Sequence, residues 1–135
     1  MSEAPEWLVE LVQDTRRLLG VGGDWHVNLR VVDSPHDDPT NSAAVTPDGV
    51  YLIATIEVAR DVENSDEGRR IVMHEVMHIA HTELDLIVSQ ILAGLPKRER
   101  RRFRKLYEDG VERFLQRTTR AMVRHIRPME EGSDD

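Results

Sequence analysis

The fold of this chain depends on one stretch of its sequence, Ile71-Val72-Met73-His74-Glu75-Val76-Met77-His78-Ile79. The apolar side chains of this stretch recur at helical spacing and cover most of a helix surface, so the helix has to be buried. His74, Glu75 and His78 interrupt that apolar surface. Because polar side chains are costly to bury without partners, the stretch predicts a central helix that carries a polar cluster with a specific task.

The sequence on either side of this helix predicts an α+β fold. Residues 25–32 alternate between apolar and polar side chains, as a half-buried strand does. Residues 50–58 are apolar on both faces and read as an interior strand, and a turn at Pro47-Asp48-Gly49 would join them to a short strand at 43–46. We expect the strand at 43–46 to lie at the edge of the sheet.

Helical periodicity predicts four helices, at residues 6–19, 65–82, 84–92 and 97–126. Asn64 is the expected cap of the second helix. We therefore predict a small mixed or antiparallel sheet, packed with the helix that carries His74 and His78 and with a long C-terminal helix.

Length and composition are those of one globular domain. The chain has 135 residues and no cysteine, which excludes disulfides and thiolate metal ligands. We expect one domain over residues 1–127 and a disordered acidic tail over residues 128–135. No run reaches the roughly 18 apolar residues of a membrane span, and the acidic N-terminus does not resemble a signal peptide. The expected location is therefore cytoplasmic, with no membrane partner.

His74 and His78 lie four positions apart, which places both imidazoles on one face of a helix. Two imidazoles in that arrangement can bind one zinc ion at about 2.0–2.1 Å. Glu75 would project beside the ion and accept a proton from zinc-bound water, whose pKa the metal lowers towards about 7. The spacing therefore predicts two metal ligands and a general base.

A catalytic zinc needs a third protein ligand and one open position. The downstream candidates are His81, Glu83, Asp85, Glu108, Asp109 and Glu112. On a straight helix His81 lies too far along to reach the metal, so we expect it at the edge of the cleft or against a ligand.

Glu108 and Glu112 belong to the last predicted helix. Glu108 falls at the edge of the apolar face of that helix, and Glu112 falls further round towards solvent. Arg104 and Lys105 precede Glu108 by one turn and explain it equally well as an ion-pair partner, whereas Glu112 has no basic residue three or four positions away. Glu108 is thus the first choice, Glu112 the alternative, and a third ligand that is neither stays open.

The sequence resembles the zincin superfamily of metallopeptidases, and most of all the minimal zincin-like proteins of phages and bacteria. The resemblance is carried by the strand at 50–58, the motif at 71–79 and the late helix with Glu108-Asp109-Gly110-Val111-Glu112-Arg113-Phe114. The longer metzincin signature is absent, since His81 and Leu84 stand where that signature has glycine and histidine.

The resemblance implies a zinc cofactor held by His74, His78 and, as in gluzincins, Glu108, with Glu75 as the catalytic base. It also implies a peptide or protein substrate that pairs with an edge strand of the sheet. The predicted function is that of a zinc-dependent metallopeptidase, which hydrolyses peptide bonds through attack by zinc-bound water with the help of Glu75.

Two other functions stay open. The first is that of a catalytically silent zinc-binding protein with a structural or regulatory role. The second is association with nucleic acid through the basic run at residues 97–105. Residues 97–135 carry 12 Lys/Arg against 8 Asp/Glu, whereas residues 1–96 carry 6 against 17. Because a basic helix can also lie against an acidic body, and no nucleic-acid motif accompanies the run, we do not favour this partner.

Overall fold

The computed structural model describes residues 4–21 and 23–125 and has an α+β fold. Its strands are β1 (His26–Val32), β2 (Ala43–Asp48) and β3 (Ile53–Ala59), and its helices are α1 (Glu6–Leu19), α2 (Asp66–Ala80), α3 (Thr82–Ala93) and α4 (Lys97–His125). A 3-10 turn at Pro35–Asp37 precedes β2. The predicted α+β class, with a small sheet and a long C-terminal helix, is confirmed. The predicted tail at 128–135 lies outside the described residues.

The three strands form one mixed sheet in the order β1-β3-β2. Strand β1 runs parallel to β3, with Leu29 opposite Ile56, and β2 runs antiparallel to β3, with Val45 opposite Ile56. β3 is thus the interior strand, as its apolar character predicts, and β2 lies at an edge. Within residues 4–21 and 23–125 no other strand pairs with β2.

The turn between β2 and β3 comes later than the sequence predicts. Strand β2 continues through Pro47 and Asp48, and β3 begins at Ile53 rather than at Val50. The side chain of Asp48 accepts hydrogen bonds from the backbone N–H groups of Val50 and Tyr51, at 3.0 and 3.2 Å. These bonds hold residues 49–52 as the turn, because an aspartate side chain can take the place of a backbone turn partner.

Helix α2 begins with a cap at Ser65 and not at Asn64. The Ser65 hydroxyl accepts a hydrogen bond from the backbone N–H of Gly68 at 3.1 Å, which satisfies one of the free donors of the first turn. Gly68 is buried, and a Cβ atom at this position would collide with the backbone carbonyl oxygen of Glu63. The chain therefore passes so close to the first turn of α2 that only glycine fits.

Helix α2 is the central element of the fold. It contacts β2 and β3 on one side and packs against α1 and α4 on others. Its buried residues Val72, Met73, Val76 and Ile79 join the apolar face of the sheet and of α1 in one core, together with Leu8, Leu11, Val12, Ala54, Ile56 and Val58. The prediction of a buried central helix is thus confirmed, and the position of α2 determines where its polar residues lie.

A break at His81 separates α2 from α3. His81 has φ −100° and ψ 8°, and it both ends α2 and precedes the first residue of α3. The Thr82 hydroxyl donates to the backbone carbonyl of His78 at 2.8 Å, so a carbonyl at the end of α2 keeps a partner. Among the helices described, none has the length and apolar character that crossing a bilayer requires.

Substitution by alanine should have opposite effects on the free energy of unfolding at two glycines, Gly110 and Gly68. Gly110→Ala, in the interior of α4 with open space around the new methyl group, should raise the free energy of unfolding by about 1 kcal/mol, since alanine favours a helix. Gly68→Ala should lower it by about 1–3 kcal/mol, because the methyl group would force the Glu63 backbone away. Urea denaturation measures both, and equal stability of the two variants would contradict the described start of α2.

Candidate metal centre

Helices α2 and α4 bring three potential metal ligands together. His74 and His78 lie one turn apart on α2. Helix α4 packs across α2 with a stripe of buried residues that recurs every four positions, namely Leu115, Thr119 and Val123. Glu112 lies one turn before Leu115, so the packing that buries this stripe also carries the Glu112 carboxylate to the two imidazoles.

The three side chains meet at short distances. His74 Nε2 lies 3.3 Å from Oε1 of Glu112, and His78 Nε2 lies 3.2 Å from Oε2 of the same carboxylate. The two Nε2 atoms are 3.2 Å apart. Because one ligand atom from each side chain lies within 4.8 Å of the others, the group could hold a metal ion. Imidazole and carboxylate ligands suit several divalent metals, so the donor set by itself does not identify the ion.

The carboxylate in this group comes from Glu112, the alternative in the sequence analysis, and not from Glu108, the first choice. Glu108 is exposed and lines a cavity of about 530 Å³ that also borders His78. It is not among the three residues that converge. Its expected ion pair with Lys105 is also missing, since Lys105 contacts Asp109 at 3.3 Å. Glu108 and Glu112 lie on nearly the same face of α4, and their different positions along the helix axis decide which of them reaches the histidines.

The surroundings of the two histidines favour neutral imidazoles. The pKa of His78 is lowered to about 4, chiefly by burial. The neighbouring His74 ring also lowers this pKa, and its effect is larger than the opposing effect of the Glu112 carboxylate. Burial also lowers the pKa of His74, against the opposing effect of Glu112. A neutral imidazole has a free lone pair on one ring nitrogen, and this is the form that binds metals.

Glu75 lies on the side of α2 that faces the edge strand. Burial, and to a smaller extent the Glu112 carboxylate, raises the pKa of Glu75 to about 7. Glu75 and His78 line one wall of a groove of about 340 Å³, and Ala43, Val45 and Pro47 of β2 line another. The predicted general base, one predicted ligand and the predicted edge strand therefore border the same groove.

His81 lies against a predicted ligand, as the sequence analysis expects. Its Nε2 atom is 3.1 Å from Nδ1 of His78, and its Nδ1 atom is 3.0 Å from Oδ2 of Asp85. The Tyr107 hydroxyl donates to Oδ1 of Asp85 at 2.6 Å. Asp85 was a candidate ligand but is not part of the converging group. The helical spacing of His81 and Asp85 is a signal for their contact, whereas no local pattern in the sequence reveals Tyr107.

The remaining candidates, Glu83 and Asp109, are also outside the converging group. Glu83 is an exposed residue in the first turn of α3. Asp109 is held by its ion pair with Lys105. The described residues therefore provide three converging potential ligands from the predicted set.

The basic run lies along the first turns of α4. Five of its cationic side chains line an open cavity of about 750 Å³: Lys97, Arg98, Arg101, Arg102 and Lys105. Within the described part of the chain, four of the five form no ion pair, and Lys105 pairs within its own helix. Within the described residues, the cationic side chains that line this cavity therefore form no ion pair with the acidic first two-thirds of the chain.

Comparisons with protein-family models, with curated proteins and with solved structures found no match to this chain. The assignment of the site therefore depends on its own residues. Their distances, burial and charges are specific enough to test directly.

The metal content of four variants tests the site. After loading with zinc and gel filtration, the parent chain should keep about one zinc ion, and His74→Ala, His78→Ala and Glu112→Ala should lose it, because each removes one of three protein ligands. Glu108→Ala should keep the zinc, and it is a matched control with the same change one turn away on α4. Elemental analysis provides the count. Equal zinc in Glu112→Ala and Glu108→Ala would contradict the ligand set.

Proposed function

We propose that the chain is a zinc-dependent metallopeptidase with a zincin-like site, in which His74, His78 and Glu112 hold the metal and Glu75 is the catalytic base. One observation carries the proposal: three potential ligands converge, and one of them, His78, borders a groove together with the partly buried carboxyl group of Glu75 and an edge strand. In peptide hydrolysis the ligands would hold the metal, the carboxyl group would transfer the proton, and the edge strand would bind the substrate.

The spacing of the ligand atoms supports zinc as the metal. Four ligands placed tetrahedrally at the usual zinc distances are about 3.3 Å from one another. The two Nε2 atoms of His74 and His78 are 3.2 Å apart, which matches that value, and each lies 3.2 to 3.3 Å from a different oxygen of the Glu112 carboxylate. Mg²⁺ and Ca²⁺ prefer oxygen ligands throughout, so two imidazoles argue against them. Cobalt and nickel accept similar ligands, and the resemblance of the motif at 71–79 to zincins is the reason to propose zinc.

The number of ligands supports a catalytic role. Structural zinc sites are closed by four protein ligands, whereas catalytic sites use three and leave one position open. The converging group has three members among the described residues. Glu112 is 47% exposed, and grooves open on either side of His78. Zinc supplies Lewis acidity when it is bound, which acidifies water and polarises a carbonyl group.

Glu75 is placed to move the proton. Its side chain is partly buried and lines the groove beside His78, where it could reach a water molecule in that groove. In the proposed reaction the carboxylate of Glu75 takes a proton from the attacking water and then gives it to the leaving amine. A carboxylate suits both steps because it can accept a proton and, once protonated, donate it again.

The free edge of β2 supports a peptide as the substrate. Ala59 donates its N–H to the carbonyl of Ser42 at 2.8 Å, and antiparallel bonding then alternates along the strand. The N–H and C=O groups of Ala43 and Val45 therefore point away from β3, towards the groove. Pro47 falls at the same kind of position, where its missing N–H breaks no bond of the ladder. An extended peptide could add to the sheet there.

The cytoplasm stays part of the proposal as the location of the enzyme, since a chain without cysteine does not depend on an oxidising compartment. The two rival functions stay untested. A silent zinc-binding protein would keep the metal and cleave nothing. The basic surface of α4 is the feature that supports association with nucleic acid, and DNA binding that weakens with salt would be its evidence.

Glu75→Gln is the test of the enzyme proposal. The variant should lose at least about a hundredfold in kcat, because an amide cannot accept the proton, and should keep its zinc. Cleavage of a broad peptide library followed by mass spectrometry provides the rates. Glu83→Gln, the same change at an exposed position of α3, should behave like the parent. A parent chain that holds zinc and cleaves nothing would replace the enzyme with the silent rival.

Val45→Pro tests the binding of a peptide along β2. The substitution removes an N–H group that points to the groove and leaves the bonds to β3 in place. KM should rise roughly two- to tenfold, which corresponds to one hydrogen bond of about 0.5–1.5 kcal/mol, with kcat unchanged. Val45→Ala keeps the N–H and is the matched control. Equal KM values for the two variants would exclude strand pairing at this position.

A further inference from the structure

A chain of polar contacts leads from the converging ligands to a second part of α4. It begins at Nδ1 of His78, the ring nitrogen on the opposite side from Glu112, which lies 3.1 Å from Nε2 of His81. It continues from Nδ1 of His81 to Oδ2 of Asp85 at 3.0 Å. It ends where the Tyr107 hydroxyl donates to Oδ1 of Asp85 at 2.6 Å. The chain thus joins three elements, α2, α3 and α4.

The chemistry of the end groups favours one direction for each contact. The Tyr107 hydroxyl has one proton to donate, and burial together with the bond to Asp85 raises the pKa of Tyr107 well above its usual range. A carboxylate only accepts, so the approach of Oδ2 of Asp85 to 3.0 Å favours the tautomer of His81 that carries its proton on Nδ1. That nitrogen is buried and forms no well-aligned hydrogen bond with the described residues, so its contact with Asp85 is electrostatic and off-axis.

The tautomer of His81 in turn affects His78. A neutral His81 with its proton on Nδ1 has a lone pair on Nε2 and can only accept there. Nδ1 of His78 must then carry a proton and donate it to His81 across the 3.1 Å contact. A neutral His78 protonated on Nδ1 has its lone pair on Nε2. This is the atom that faces His74 and Glu112.

The inner contact lies at the backbone break between α2 and α3. His81 leaves the α2 helix with φ −100° and ψ 8°, and its ring turns back over the last turn to meet His78. Asp85 follows one turn into α3. Tyr107 comes from α4, five residues before Glu112, so one helix supplies both a ligand and the far end of the chain.

We propose that His81, Asp85 and Tyr107 are positioning residues that hold His78 in the tautomer and the ring orientation in which Nε2 binds the metal. Hydrogen bonds from a ligand histidine to a second acceptor generally serve this purpose and affect metal affinity. The proposal rests on the metal site of the proposed function. It requires that His78 binds a metal, and it does not require that the chain cleaves peptides.

Two measurements test the proposal. Zinc affinity is measured by competition with a chelator, and the position of the His78 ring proton in the zinc-loaded chain is read from long-range ¹H–¹⁵N correlations. The parent should show His78 protonated on Nδ1. His81→Ala and Asp85→Ala should weaken zinc binding about ten- to a hundredfold and give a mixture of tautomers. Tyr107→Phe should have a smaller effect in the same direction.

Glu83→Gln is the control, since Glu83 is exposed on α3 and outside the chain of contacts, and it should leave both readouts unchanged. Parent-like affinity in folded His81→Ala and Asp85→Ala would overturn the proposal. A parent spectrum with His78 protonated on Nε2 would overturn it without any variant, even where a variant fails to fold. A parent chain that binds no zinc, or binds it without His78, would instead remove the proposed function.

Discussion

The packing of α4 across α2 is the contact on which the rest of the site depends. It buries Leu115, Thr119 and Val123, and this burial of apolar surface supplies the free energy that holds the two helices together. The same contact removes water from His74 and His78 and brings one carboxylate to them. Loss of water alone would favour neutral imidazoles but would not attract a cation to them. A single carboxylate against two neutral rings makes a site with one negative charge, which attracts a cation.

The position of α2 has a similar effect on the other side of the helix. Its apolar residues join the sheet, and this places Glu75 against the edge strand rather than in solvent. The start of the helix is held by the Ser65 cap and by the close passage of Glu63 over Gly68. A shift of α2 along its axis would therefore disturb the cap, the core and the groove together. The apolar packing around α2 therefore fixes the positions of His74, Glu75 and His78.

Much of this fold follows from local patterns in the sequence. The helix at 66–80 and the strands at 26–32 and 53–59 have the periodicity of buried elements. The late turn after Asp48 does not follow, because a side chain that bonds two backbone N–H groups competes with the more familiar Pro-Asp-Gly turn. The sheet order β1-β3-β2 likewise depends on contacts between distant segments, although the apolar character of β3 indicates its interior position.

The choice between Glu108 and Glu112 as a candidate ligand shows where helical periodicity stops being informative. Glu108 and Glu112 are four residues apart, so they differ by only about 40° around α4 but by about 6 Å along it. Helical phase therefore cannot separate them. The choice depends on which turn of α4 lies opposite His74 and His78, and this depends on the packing of Leu115 and on the connection from α3 to α4. Such a distance along a helix has no signature in the sequence of that helix.

His81 illustrates the same limit in the opposite direction. On a straight helix its ring would continue along α2 and would be a poor neighbour for a metal. In the structure Nε2 of His81 lies 3.1 Å from Nδ1 of His78, on the far side from Glu112. One short segment thus places a candidate ligand next to a second histidine, and Asp85 and Tyr107 extend the row of polar contacts to α4. Because a histidine with two free tautomers presents its lone pair at Nε2 only part of the time, a partner on Nδ1 that selects one tautomer would raise the metal affinity of a site built on His78.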